Sequence, residues 1–543
     1  MHVRSSRVSA FLLAILVVVA GTTRTGTQHA DMAAGGAAAS VQAYFQPIAI
    51  YKTALGPFTW PISSKAPEAQ AYFDQGVQLR YSLGKIDAVR SFREAWRRDP
   101  TCAICYWGEA WAWGQNLNAP VRPAEMPYAF AAIQQAVKLK ASATAREAAL
   151  IDAMATRYSP TYDEKKLTDL QIAYAAAMER VVAQFPSDLN ARTLYGEALF
   201  LQLPRAGARD ANDPAVRRIM AAFETVLAAD IRHPGACHLY IHVTEATTVA
   251  EKGAPCAQFL GKSVPGASHM VHMPSHTWTQ IGRWGDAVRS SLDAWHTDQR
   301  AATGQAFAIY SEHNLHMLLY AASMDGQGKV AVQAGKDFAT LVGDTTFQLL
   351  AMIRFGRFND IRGFTTRPRL QPYAGVWDFA QAYTELRLGN PPQAQALADR
   401  LATMTNVAAT TSVPAYRGQS TAAFLGVLNG ILQGELLRGS NPAGAIAAFQ
   451  RAVTAQDSFI WDEPEPLPFP ARDWLGAALI DQKRFAEAEA VYQKDLEKHP
   501  HNGWALFGLQ QALAGQGKST ADVAKQFQTA WIRADVKLTA TRY

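Results

Sequence analysis

Nine of the thirteen histidines fall between His233 and His316, a window that uniform usage would fill with about two. Imidazole is the side chain that both moves protons near neutral pH and binds transition metals, so its spacing decides which chemistry is open. His238/His242 and His272/His276 are His-x-x-x-His pairs, and His269/His272 and His313/His316 are His-x-x-His pairs. Residues three or four apart on a helix stand about 5 to 6 Å apart at Cβ and can chelate one ion. Neutral imidazoles suit Zn, Cu, Fe and Ni, and the shortage of carboxylates here argues against Ca or Mg. The expected cofactor is therefore a transition metal ion (Cu, Fe or Zn), held by His238, His242, His269, His272, His276, His313 and His316. Glu245 is the leading acidic candidate, as a ligand or as a catalytic general base, with Glu312 behind it.

These residues need elements that bring them together. Apolar residues recur at i, i+3, i+4 and i+7 through the chain with almost no alternation, which predicts an all-α fold. Counted from Ala69 in units of 34, Gly76, Ala88, Phe92, Ala95 and Pro100 fall at positions 8, 20, 24, 27 and 32. From Phe469, Gly476, Ala488, Tyr492 and Pro500 fall at 8, 20, 24 and 32. Both ends resemble the tetratricopeptide repeat (TPR), which implies a superhelix of antiparallel helix pairs. Between them the pattern is weaker. A first helix over 189–201 and a second over 213–230 fit if 203–212 is largely an inserted loop.

Phased on residues other than histidine, His238, His242 and Glu245 take positions 2, 6 and 9 of one first helix. His269, His272 and His276 take 2, 5 and 9 of the next, and His313 and His316 take 2 and 5 of the one after. The resemblance implies that positions 2, 5, 9 and 12 line a concave groove, so three neighbouring helices would aim imidazoles into one stretch of it.

The rest of the chain sets limits. The net charge of +6 arises from 52 Lys+Arg and 46 Asp+Glu, with no basic run of five, so nucleic acid is not an expected partner. Two arginines, an apolar run over 8–20 and Val18-Val19-Ala20 read as a signal peptide over 1–20, too short to span a bilayer. The expected protein is periplasmic or secreted, with no transmembrane segment after cleavage. A flexible leader is expected over 21–45, N-terminal repeats over 46–230, histidine-rich central repeats over 231–345 and C-terminal repeats over 346–543. Cys102-Ala103-Ile104-Cys105 reads as a local disulfide, a redox pair or two metal ligands, and the pairing of Cys237 with Cys256 is left open. Trp107, Trp111 and Trp113 read as core before a ligand platform. The stiff segment 461–470, with Asp462-Glu463-Pro464, reads as a connector or as an acidic loop folded over a cationic site. No Gly-rich phosphate loop, Gly-x-Ser-x-Gly elbow or dinucleotide fingerprint occurs.

The segments 233–242, 269–276 and 313–316 also resemble a set of secreted bacterial TPR proteins, as do 102–108 and 462–464. The resemblance supports the fold and supplies no reaction. Two functional expectations follow. One is an exported TPR protein with a groove metal site, acting as a metal-dependent oxidoreductase or hydrolase on a small-molecule substrate. The other is a scaffold that clamps an extended peptide in its concave groove without catalysis.

Overall fold

The computed structural model describes residues 41–543. The expected signal segment and most of the expected leader lie outside them. Residues 41–45 of that leader form a 3-10 turn, with Tyr44 packed on Trp113 at 4.4 Å between ring centroids and donating its hydroxyl to Glu125 at 3.0 Å. The described residues are 66% helical, and among them β-type pairing is limited to the isolated bridges Ala267↔Phe307 and Tyr416↔Gln419. The fold is an all-α TPR-type solenoid.

The repeat is built by glycines facing aromatic rings. Helix α1 (Pro67–Tyr81) packs on α2 (Lys85–Arg98), and α2 on α3 (Ala103–Trp113). A Cβ added at Gly76 or Gly108 would stand 2.8 or 2.4 Å from the Phe92 ring, so the aromatic of α2 fits only between two side-chain-free surfaces. The same arrangement recurs as α4 (Leu189–Phe200) against α5 (Pro214–Ala229), with Phe223 filling the space over Gly196. Near the C-terminus, α12 (Arg472–Asp481) and α14 (Gly503–Gly515) present Gly476 and Gly508 to Tyr492 of α13 (Phe485–Lys498). The inserted loop between α4 and α5 is present, and Asp213 caps α5 by accepting from the Ala215 and Val216 amides.

Histidines are carried by α6 (Pro234–Thr244), α7 (Ser268–His272), α8 (Pro274–Gln280) and α10 (Ser311–Met324), while α9 (Trp284–Ala301) and α11 (Gly328–Val342) are the second helices behind them. Helix α6 starts with proline at its first position, and the His233 ring nitrogen accepts the Ala236 amide at 3.1 Å. Helices α7 and α8 are one expected helix interrupted at Pro274, whose missing N–H removes a backbone bond while Met273 keeps helical angles. The superhelix folds back on itself here. Helix α1 packs against α6, and from the other end Trp504 Nε1 donates to the Ser323 carbonyl and Trp284 Nε1 to the Pro500 carbonyl, both at 3.0 Å. No helix among the described residues is long and apolar enough to cross a membrane.

All four cysteines are paired, Cys102 with Cys105 and Cys237 with Cys256, so the first pair supplies no metal ligands. Trp107, Trp111 and Trp113 are wholly buried and donate to the Leu150 carbonyl, Glu197 and Glu109 respectively, which makes them core.

Candidate metal centre

The histidines expected along an open groove are instead sealed inside the molecule. Each of the seven is no more than 2% exposed, leaving no trough in which an extended peptide could reach them. Two loops close the space. The insertion after α4 brings Arg205 and Arg209, and the proline-rich segment 461–470 brings Glu463, which pairs with Arg205. Arg209 donates to the His242 carbonyl at 3.2 Å, fixing the insertion to α6.

Six of the seven imidazoles fall into two triads, His238–His242–His269 and His272–His276–His313, each with ligand nitrogens within 4.8 Å of one another. His238 Nε2 lies 3.1 Å from His269 Nε2, and His276 Nε2 lies 2.8 Å from His272 Nε2 and 3.4 Å from His313 Nε2. Nitrogens bound to one tetrahedral ion at ordinary metal–nitrogen lengths stand about 3.3 Å apart. The triads adjoin: the His242 and His276 rings are 5.1 Å apart between centroids, and the His269 and His272 rings 5.4 Å.

The outer edges of four of the six rings are held, while Nδ1 of His269 and of His313 has no hydrogen-bond partner. His238 Nδ1 donates to the Tyr81 carbonyl, so the end of α1 orients a ring on α6. Glu245, in the turn that ends α6, accepts from His242 Nδ1 at 2.6 Å through one oxygen and from His276 Nδ1 through the other. Glu463 Oε2 stands 3.0 Å from His276 Nδ1, and Ser275 Oγ 3.2 Å from His272 Nδ1. A carbonyl or carboxylate only accepts, so the Nδ1 protons of His238, His242 and His276 are fixed and the Nε2 lone pairs face inward. His242 Nε2 has no hydrogen-bond partner.

Burial pushes His238 down to about 4, against the opposing effect of its bond to Tyr81. Burial, then neighbouring imidazoles, hold His242, His269, His272 and His313 well below the ordinary range. All five are neutral near pH 7, the form that binds metal.

The remaining expected site residues are placed differently. His316 belongs to neither triad and stacks on Phe347 at 3.9 Å between centroids. Glu312 is half-buried at the start of α10, outside both triads. Glu245 meets its histidines at Nδ1, the edge away from the triad centres. Glu463 joins the site from the C-terminal part of the chain, far in sequence from the histidines it approaches. Only the acidic segment that carries it hinted at this. Arg205 and Arg209 lie in a loop that spacing marked merely as an insertion, and nothing in their local sequence signalled the site. A cavity of about 600 Å³ lined by Tyr51, Asp87, Arg90, Trp295, Asp298 and Phe307 includes none of the triad residues.

No protein-family profile and no curated protein matches the chain. Among solved structures, the human IFIT1 dimer with m7Gppp-AAAA is similar at 11% identity and a TM-score of 0.29, over 76% of this chain and 87% of that one. Yeast Tom70 gives 13% and 0.26, over 87% and 93%. The P58(IPK) TPR domain gives 12% and 0.21, over 83% and 98%. Such scores carry no functional argument.

Proposed function

We propose that this chain is an exported metalloprotein whose central repeats hold two transition-metal ions, one per triad, and that it is an oxidoreductase. The observation that carries this reading is the inward convergence of Nε2 atoms from four helices, with the Nδ1 protons of His238, His242 and His276 pinned on the outside by Tyr81 and Glu245. A purely structural hydrogen-bonded network has no need of that polarity.

The donor set favours copper first, because imidazole nitrogen is a good copper ligand and copper heads the affinity series for such sites. Both carboxylates act on ring Nδ1 and so stay outside the proposed ligand sets, leaving all-neutral ligands that stabilise the lower-charged state of a redox ion. Metal ions so held would pass electrons to and from a substrate. The protein's own part is orientation and exclusion. Glu245 couples one ring of each triad, Arg205 keeps Glu463 over the site, and the closed loops keep bulk water out. Glu245 is accordingly a positioning residue in this reading, not a proton carrier. Export is supported by the N-terminal apolar run and by the pairing of every cysteine, as an oxidising compartment favours. Mass spectrometry of the mature N-terminus from the native host tests it, and a chain retaining Met1 would refute it.

Elemental analysis of protein purified without an affinity tag tests the metal reading. About two equivalents of metal per chain, with copper retained over zinc in competition, is the expected result. Less than about a tenth of an equivalent, with none bound tightly on addition, would leave the scaffold reading in its place. Zinc in both triads would turn the reading to hydrolysis.

A further inference from the structure

Beside the second triad lies a group of buried polar side chains with atoms that make no hydrogen bond. His316 is 1% exposed and neither ring nitrogen has a hydrogen-bond partner. One turn earlier on α10, His313 turns Nε2 toward its triad while its Nδ1 is also unpartnered. Arg417 is 5% exposed, and its Nε and Nη1 have no hydrogen-bond partner. One aromatic ring gathers the two outer residues: the Phe347 centroid is 3.9 Å from the His316 ring and 5.7 Å from the Arg417 guanidinium carbon.

Arg417 occupies this place at a conformational cost. Its φ of +50° is left-handed, in a tight turn closed by paired bonds between Tyr416 and Gln419 at 3.0 and 2.9 Å. A non-glycine residue held there is a strained position that the surroundings must enforce. A guanidinium buried with open N–H groups is costly unless an acceptor meets it.

We propose that His316, Arg417 and the Nδ1 edge of His313 form a subsite for the carboxylate of a small substrate, next to the His272–His276–His313 triad. This rests on reading that triad as the metal centre. The anion would accept from His313 Nδ1, the role Glu245 fills for His242 and His276, so a bound substrate completes the orientation of the third ring. Asp462 stands 3.5 Å from Arg417 Nε and takes one side of the guanidinium, so a monoanion meeting Nη1 adds one negative charge where a dianion such as phosphate would add two.

Equilibrium dialysis of the full chain with radiolabelled acetate, before and after chelator treatment, tests the subsite, with metal content measured on the same samples. One acetate per chain is expected, bound roughly tenfold or more weakly by Arg417→Met with metal content unchanged. If that variant does not fold, Arg417→Met/Asp462→Asn removes the pair together and carries the same expectation. Acetate binding that is absent in the parent protein, unchanged in the variant, or weaker than phosphate binding overturns the proposal. Binding lost on chelation but indifferent to Arg417 makes the anion a metal ligand and overturns it too. Protein that holds no metal yet binds acetate through Arg417 would refute the metal reading alone.

Discussion

His238 and His499 are both buried histidines, and the molecule treats them in opposite ways. His238 donates one nitrogen to a backbone carbonyl and turns the other toward two more imidazoles, and burial lowers it to about 4. His499, at the end of α13, has Nδ1 2.9 Å from Asp495 and Nε2 3.2 Å from Glu465. Burial alone would lower it, but those carboxylates push it up to about 9. Both of its nitrogens are donors with acceptors in place, so it is a charged strut with no lone pair to give. The triad histidines of the central repeats turn their second nitrogens toward one another, and His242 keeps an Nε2 that nothing in the chain uses. What marks a ligand is thus not burial or histidine density but which ring edge the protein leaves open.

The comparison breaks most sharply under paired substitution. His272→Ala with His276→Ala should remove one of two bound ions, and His238→Ala with His242→Ala the other, with helicity by circular dichroism nearly unchanged in each. Loss of both ions from either pair would mean that one shared centre replaces two. Glu245→Gln comes next: because Glu245 orients a ring in each triad, metal affinity at both should fall about 10- to 100-fold, read by competition with a chelator. An effect confined to one ion would contradict the bridging role.

His499 gives smaller effects of another kind. His499→Ala should leave metal content untouched and lower Tm by several degrees, since it takes from buried Asp495 its cationic partner and leaves the Asn502 amide donating to it. Its titration gives the sign. A folded-state pKa raised from 6.5 to about 9 stabilises fully below about pH 6.5, and that stabilisation is lost as pH rises through about 9. Thermal melts across that window should show falling Tm in the parent and a flatter profile in the variant. An equal slope in both would assign the pH dependence elsewhere.

Much of this was readable from residue spacing, and the limits were physical. Gly76 with Phe92 and Gly476 with Tyr492 announced the helix pairs because close packing admits few residue types at those positions. The helical phase of His238, His242, His269, His272, His276 and His313 put them on one side of their helices, where the structure gathers them. The same phase placed His316 with them. Which of two neighbouring rings reaches the centre depends on side-chain direction and on Phe347, neither of which periodicity encodes. Whether the groove was open was equally hidden, because Arg205 and Glu463 meet across 258 residues through irregular loops. The role of Glu245 turned on which imidazole nitrogen faced it, a matter of ring orientation.

The central claim is that two ions sit on Nε2 atoms, one per triad. A second arrangement of donors tests it, since His242, Glu245, His276 and Glu463 also bring ligand atoms within 4.8 Å of each other. An anomalous-difference map from crystals of the metal-loaded protein, recorded at the absorption edge of the bound metal, separates the two. We predict two peaks, one among the Nε2 atoms of His238, His242 and His269 and one among those of His272, His276 and His313. A single peak between the carboxylates of Glu245 and Glu463, on the Nδ1 side of His242 and His276, would contradict the account.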